Sequence, residues 1–310
     1  MLPTLSVVIP LYQKADVIAE TIEAVLRQSY PHFELIVVDD GSTDGGGDVV
    51  AALTDPRIRL VRQPNGGEAA ARNRGVAEAR HDWIAFLDAD DLWAGRHLEN
   101  LATAAAQGDA VVVFSNYLLA SRFAPVMPAG IPAQVTDDFF AFALATYPYA
   151  VHPSAVMIER AALRRAGLFP LGAPMGGDTD TFCRLALEGA FRYVPEPTAV
   201  YRDGHPTSVL AGQMRKRPLP PPFDRTLTAL LRLGAVPPRL VPSAGRYRNF
   251  LMLEYARQLL DVGDPEAARE VLRRHCRLAD DPLRYARRFL RTWSFGHRLY
   301  VLSRQVVPSR

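Results

Sequence analysis

The sequence predicts an α/β protein with a mainly parallel sheet and a helical appendage. Three observations carry that expectation. Short β-branched runs alternate with helical patterns from Leu5 to Phe114, the order that produces a parallel sheet covered on both faces. Three of these runs end in Pro10, in Asp39-Asp40 and in Asp88 to Asp91, so chemically distinctive residues gather at the carboxyl ends of strands. A basic, proline-rich stretch, Arg215 to Pro222, then separates this pattern from a purely helical tail.

The elements follow in order. Leu5 to Ile9 is a short apolar run closed by Pro10 and reads as a buried strand. Ala15 to Gln28 reads as a helix, with Ile18, Ile22, Val25 and Leu26 along one face. Phe33 to Val38 is a second strand, and Ile58 to Val61 a third. A helix over Glu68 to Ala79 leads to a strand at Trp83 to Leu87, and Ala110 to Phe114 closes the series. In the middle, helices are expected over Asp137 to Ala145, Glu159 to Ala166 and Asp178 to Glu188, with short strands at Phe191 to Val194 and Thr198 to Tyr201. Beyond the proline-rich stretch, Phe250 to Leu260 and Pro265 to His275 form a helical hairpin across Val262-Gly263-Asp264. The expected organisation is a domain over 1–212, a linker over 213–222 and a helical region over 223–310.

Composition narrows the function. A chain of 310 residues, 48% of them hydrophobic, is long enough for one large core plus an appendage. The formal charge of +3 argues against a dedicated nucleic-acid binder. Cys183 and Cys276 lie far apart, lack metal-ligand spacing and fit a reducing compartment. Met1 to Thr4 runs straight into a strand pattern, so no signal peptide is expected. Ala110 to Ala120 is the longest apolar stretch, is interrupted by Ser115 and Asn116, and is too short to span a bilayer. The expected location is the cytoplasm, with peripheral attachment at the inner face of the plasma membrane as an extension of it.

The most informative segment is Phe86-Leu87-Asp88-Ala89-Asp90-Asp91-Leu92-Trp93. A buried strand that ends in clustered acids places repelling charges at one sheet edge, and folding alone does not reward that. A hard divalent ion carrying a diphosphate answers it, since oxygen ligands suit Mg2+ or Mn2+. A helix N-cap is the simpler reading, but capping needs one acid. On a neighbouring strand end, Asp40 can accept the imide N–H of uracil or thymine, or it can simply hold the Gly41-Ser42 turn with Asp39. Tyr12 can lay its ring on a pyrimidine or stand at the rim. Arg72 can face the base, the diphosphate or solvent. His152 is a candidate for an acceptor rim.

The chain resembles the family 2 inverting glycosyltransferases. The matching residues are Val7-Val8-Ile9-Pro10-Leu11-Tyr12, Phe33 to Asp44, Asn65-Gly66-Gly67 with Ala71-Arg72-Asn73-Arg74-Gly75, and Phe86 to Asp91, in that order. The resemblance runs over about residues 5 to 210 and implies the nucleotide-sugar-binding GT-A fold. It implies a UDP- or dTDP-sugar donor held by Pro10, Tyr12, Asp40, Arg72 and Asp88, with Mn2+ or Mg2+ held by Asp90 and Asp91. Gly176-Gly177-Asp178-Thr179-Asp180 is similar to the family's acidic pair, which puts Asp178 in the place of the catalytic base. The Glu that usually precedes that Asp is replaced here by Gly177. Tyr201-Arg202-Asp203-Gly204-His205 is similar to a late Tyr-Arg-x-His loop, with the histidine one position late, and makes His205 a further metal candidate. The implied acceptor is a glycan or lipid-linked intermediate in cell-surface polysaccharide or lipopolysaccharide synthesis.

Other classes fit less well. A dehydrogenase or a sugar-phosphate nucleotidylyltransferase needs a glycine-rich first loop, and here that loop is Pro10-Leu11-Tyr12-Gln13-Lys14. A non-catalytic carbohydrate- or nucleotide-sugar-binding protein on the same fold would not need Asp40, Asp90 and Asp178 together. The tail mixes arginines with Leu278, Leu283, Phe289, Leu290, Trp293, Phe295 and Leu299. It reads either as a membrane-surface helix or as a helix packed on the protein with solvated arginines.

Overall fold

The computed structural model describes residues 2–173, 175–203 and 220–293. They fall into two compact units, Met1–Ser208 and Val209–Arg310.

In the first unit the chain runs β1 (Leu5–Leu11), α1 (Ile18–Leu26), β2 (Phe33–Asp39), α2 (Gly46–Ala51), β3 (Ile58–Arg62), α3 (Glu68–Glu78), β4 (Trp83–Phe86) and β5 (Leu92–Trp93). It continues through α4 (His97–Ala105), β6 (Val112–Leu119), β7 (Ala124–Pro125), β8 (Gln134–Thr136) and α5 (Phe139–Ala145). It closes with β9 (Val156–Glu159), α6 (Arg160–Arg165), α7 (Gly177–Leu185) and β10 (Phe191–Tyr201). The sheet order is β3-β2-β1-β4-β9-β6-β10-β5, with β7 on β6 and β8 on β10. Strands β3, β2, β1 and β4 are parallel, as are β6 and β10, while β9 runs antiparallel between β4 and β6. The sheet is therefore mixed but mainly parallel.

Period-two alternation explains why β1 is buried along its whole length. Leu5, Val7, Ile9 and Leu11 join Ile18, Ile22 and Val25 of α1 in one core cluster. The other face carries Val8, against which α3 packs so closely that a Cβ at Gly75 would lie 2.2 Å from Val8 Cγ1. Only glycine allows that approach, and it fixes the depth at which α3 presents Arg72.

Three expectations change. The segments Phe191 to Val194 and Thr198 to Tyr201 are one strand whose register shifts between Val194 and Ala199. Residues 156–159, read partly as helix, pair as β9 because Val156, Met157 and Ile158 are buried between two strands. Helix α2 escaped detection because it opens on two glycines, poor helix formers.

The second unit contains α8 (Pro222–Arg232), α9 (Val241–Asp261), α10 (Pro265–His275) and α11 (Pro282–Arg291). The expected hairpin is present: Gly263 adopts φ +82° and the Asp264 carboxylate accepts the Ala267 N–H at 3.0 Å, capping α10. Helix α9 starts at Val241, well before the expected Phe250. Ion pairs tie these helices together, with Arg248 on Asp224 at 2.5 Å and Arg291 on Asp261 at 2.9 Å. No helix among the described residues is long and apolar enough to cross a membrane. Most of the expected linker, 213–219, and His205 lie outside the described residues.

Candidate active site

The carboxyl ends of the parallel strands and the amino end of β9 meet at one edge of the sheet, because β9 runs the opposite way. That geometry brings together residues far apart in sequence. Asp88 follows β4, His152 and Ser154 precede β9, and Arg202 follows β10.

Ser154 is the hub. Its hydroxyl donates to Asp91 Oδ2 at 2.5 Å and accepts the Asp88 N–H at 3.1 Å. Its carbonyl accepts the Trp93 indole N–H at 2.6 Å, and its own N–H donates to His152 Nδ1 at 3.1 Å. Asp91 is fully buried and also accepts the Arg202 N–H at 2.9 Å. It therefore joins the loop after β4 to the end of β10. Thr21 secures the same loop from α1, donating to the carbonyls of Ala89 and Asp91.

Asp88, Asp91 and His152 can each bring one ligand atom within 4.8 Å of the others. This grouping differs from the expected Asp90, Asp91 and His205. Asp90 instead forms an ion pair with Lys14, which the turn after β1 supplies. Burial raises the Asp91 carboxyl well above the usual range, and the neighbouring Asp88 charge adds to that. Burial works in the same direction on Asp88, but the charges of Arg72 and Lys14 outweigh it and hold Asp88 low. Burial keeps His152 neutral by lowering its affinity for a proton. An acid pair that cannot comfortably carry two charges, beside a neutral imidazole, suits a hard divalent cation. With Nδ1 accepting from Ser154, the neutral ring carries its proton on Nε2, which can donate a hydrogen bond to a ligand.

Arg72 is buried at 4% exposure, bonded to Glu68 at 2.5 Å and to Asp88 at 2.6 Å. Its guanidinium lies 5.4 Å from the centre of the Phe169 ring. Burial disfavours its charge, but Glu68, Asp88 and Asp178 more than compensate and keep it protonated. Glu68, half exposed, is pulled down by Arg72 and pushed up more strongly by burial and by Asp88, Asp178 and Asp90. Sequence reasoning missed Glu68 and Ser154. The i, i+4 spacing of Glu68 to Arg72 was a legible signal; nothing local marked Ser154.

Asp178 sits in the first turn of α7, and its carboxylate accepts the Thr179 N–H at 2.7 Å. Its charge is felt at Glu68, Arg72, His152 and Tyr117, so it faces the same crevice. The space beside it is nearly filled: a Cβ at Gly177 would come within 3.3 Å of Ala173 and 3.4 Å of Pro170.

The nucleotide candidates are also placed. Pro10 is buried within β1, and Tyr12, 49% exposed, follows it. Asp40 is 2% exposed and its carboxylate accepts from Gln63 Nε2 and from the N–H groups of Gly66 and Gly67. Three of its roughly four acceptor positions are thus used to fold the 63–67 loop, leaving one for an outside donor. Asp39 accepts the Ser42 N–H and holds the turn. Gly41 makes that turn possible at φ +76°, where a Cβ would meet Asn65 N at 2.9 Å.

Comparison with known proteins identifies this architecture. Residues 6–129 match the family model described as glycosyl transferase family 2. Glycosyltransferase GlyG of Streptococcus pneumoniae serotype 4 is 39% identical over 116 residues, 36% of this chain and 38% of that protein. The putative teichuronic acid biosynthesis glycosyltransferase TuaG of Bacillus subtilis is 38% identical over 123 residues, 39% of this chain and 49% of that protein. The chain thus spans less than half the length of these relatives. S. aureus TarS 1–349, solved with UDP-GlcNAc, superposes with a TM-score of 0.70 at 16% identity, covering 97% of this chain and 92% of that one. The mannosyltransferase PcManGT of Pyrobaculum calidifontis, solved with GDP-Man and Mn2+, gives 0.59 at 21% identity, covering 98% and 85%. Residues 6–129 are thus similar to glycosyl transferase family 2, and the α/β fold of the chain is like that of these two solved proteins.

Proposed function

We propose that the protein is a metal-dependent inverting glycosyltransferase that moves a sugar from a nucleoside-diphosphate sugar, UDP- or dTDP-linked, to a hydroxyl acceptor. The observation that carries this reading is the convergence of Asp178 with Asp88, Arg72 and His152 on one crevice, from four separate segments. TuaG is named for teichuronic acid biosynthesis and TarS was solved with UDP-GlcNAc, which supports a cell-surface glycan or its lipid-linked precursor as acceptor and uridine as base. Peripheral contact with the membrane belongs to the same reading.

Asp178 is the general base in this mechanism. Its carboxylate takes the proton of the acceptor hydroxyl as that oxygen attacks the anomeric carbon from the face opposite the diphosphate. The bond to the diphosphate oxygen breaks in the same displacement, and the electron pair leaves with the nucleotide. Its place in the first turn of a helix holds Asp178 rigidly toward the crevice. Asp88 and Asp91 would hold Mn2+ or Mg2+, with His152 beside them, and Asp90 would join after exchanging Lys14 for the ion. When bound, the ion offsets the charge that develops on the leaving diphosphate. Arg72, fixed by Glu68 and Asp88, adds positive charge that needs no reorganisation during the reaction. Tyr12 supplies an aromatic face for the base, and Asp40 offers its remaining acceptor position to an imide N–H.

Calorimetry with UDP, with and without Mn2+, tests the reading. Tight binding only with the metal is expected. Equal affinity in excess chelator would overturn the metal dependence, and tighter GDP binding would overturn the pyrimidine assignment. Slow hydrolysis of the donor without acceptor would separate an enzyme from a binding protein, which turns over nothing.

A further inference from the structure

Helix α11 has two faces of unequal fate. Tyr285 and Phe289 pack against the core formed by Leu253, Ala256 and Leu272, and Arg288 pairs with Glu254. These inward residues lie on one side of the helix with Thr292, which is buried. The opposite side carries Leu283 at 72% exposure and Leu290 at 64%; Trp293, just past the helix end, has the Arg269 guanidinium over its ring and keeps 55% exposure. Leu283 and Leu290 are seven residues apart and share one stripe, with Ala286 beside them. The packed-helix reading accounts for the inner face and leaves the outer one unexplained.

Charge identifies what the outer face suits. Arg284 and Arg287 line one flank of the leucine stripe by helical spacing, Arg284 half exposed beside Asp281, while Arg291 on the same flank is turned inward onto Asp261. Arg287 is exposed and has no ion pair or hydrogen bond among the described residues. Across residues 265–293 there are eight arginines against four acids, and from Pro282 to Arg310 the sequence contains no Asp or Glu. A protein partner with an apolar patch would need the leucines alone. An acidic protein surface would need the arginines alone. Leucines edged by arginines, with a tryptophan at the end, match a bilayer interface: apolar side chains enter the acyl boundary and guanidinium groups reach anionic headgroups. The ten-residue helix is too short to span the bilayer and has the length to lie on it.

We propose that the outer face of α11, centred on Leu283, Leu290 and Trp293 and edged by Arg284 and Arg287, docks the protein on an anionic lipid surface. This deepens the membrane contact included in the proposed function and does not depend on the transfer reaction, because docking is measured without donor or acceptor.

The test is sedimentation of the full chain with phosphatidylcholine vesicles, with and without phosphatidylglycerol. The expected result is retention on the anionic vesicles only, falling as salt rises. Leu283→Glu with Leu290→Glu should lower the partition coefficient by about tenfold or more, with the unfolding temperature unchanged because both residues are exposed. Leu283→Ser with Leu290→Ser repeats the measurement if the glutamates disturb folding. Absence of retention, equal retention on neutral vesicles, or undiminished retention of a folded double variant would each overturn the proposal. Light scattering adds a separate arm: a dimer abolished by the same double substitution would give this face to a second copy and overturn lipid docking. Loss of donor binding in the metal experiment would sink the enzymatic reading and leave this result standing.

Discussion

The crevice of the first unit and the helix bundle of the second use the same side chains to opposite ends. Between the packed helices of the bundle, arginine and acid meet in matched sets. Arg248 spans α8 and α10 by pairing with Asp224 and donating to Thr228 Oγ1 and the His275 carbonyl, and Arg257 bonds both Glu254 and Asp261. In the crevice, Arg72 and Lys14 face Glu68, Asp88, Asp90, Asp91 and Asp178, so acids outnumber the cations that meet them. A balanced set has nothing left to offer a ligand and serves cohesion. An unbalanced set costs stability and is answered when a cationic ligand arrives. Charge balance, more than charge content, separates structure from function here.

Four substitutions sharpen or break that contrast. The largest effect is expected at Asp178. Asp178→Asn should slow transfer by about 10²- to 10⁴-fold and leave UDP affinity in the presence of Mn2+ nearly unchanged, since the base acts on the acceptor. Turnover equal to wild type would pass the role to Asp180. In the bundle, Arg248→Met should cost about 2 kcal/mol, because it leaves Asp224 to His275 Nδ1 and strands two further acceptors. Urea melts report that loss, while UDP binding should stay as it was. A change in UDP affinity would show that the division between cohesive and functional charge is wrong.

The third concerns acid sensitivity beneath the crevice. His97 is fully buried, stacked 4.5 Å from Trp93 and bonded to Thr198 Oγ1 at 2.8 Å. Burial lowers its pKa to about 3, from an ordinary value of 6.5. A depressed histidine contributes stability above its unfolded value, and that contribution is lost as the pH falls from there toward the folded value. Wild type should therefore lose roughly 2 kcal/mol more than His97→Gln between about pH 7 and 5. Parallel stability profiles would rule His97 out as the cause. The smallest effect is expected at Lys14. Lys14→Met frees Asp90 from its internal counter-charge and should tighten Mn2+ binding about three- to tenfold in calorimetry with the metal alone. Weaker binding would mean that Lys14 organises the acid loop and does not compete for it.

Much of this was legible in the sequence because it depends on short-range pattern. The strands β1 to β4 announce themselves through β-branched runs, and α10 through the Gly263-Asp264 turn that precedes it. The acids after β2 and β4 could be placed at one sheet edge because parallel strands all end on the same side. Tertiary structure alone decided who meets whom there. His152 and Ser154 enter the crevice because β9 runs antiparallel and brings its amino end to the edge where the others bring their carboxyl ends. No local signal marks that reversal. Likewise Asp90, Asp91 and Asp88 are chemically identical in sequence, and only packing sorted them. Lys14 pairs with Asp90, Ser154 and the Arg202 N–H fold around Asp91, and Arg72 holds Asp88. In the tail the sequence supplied leucines, arginines and a helical period but left open which face would be covered. Burial of Tyr285 and Phe289 settled that, because a helix on a core can turn only one side inward, and Leu283 and Leu290 were left on the other.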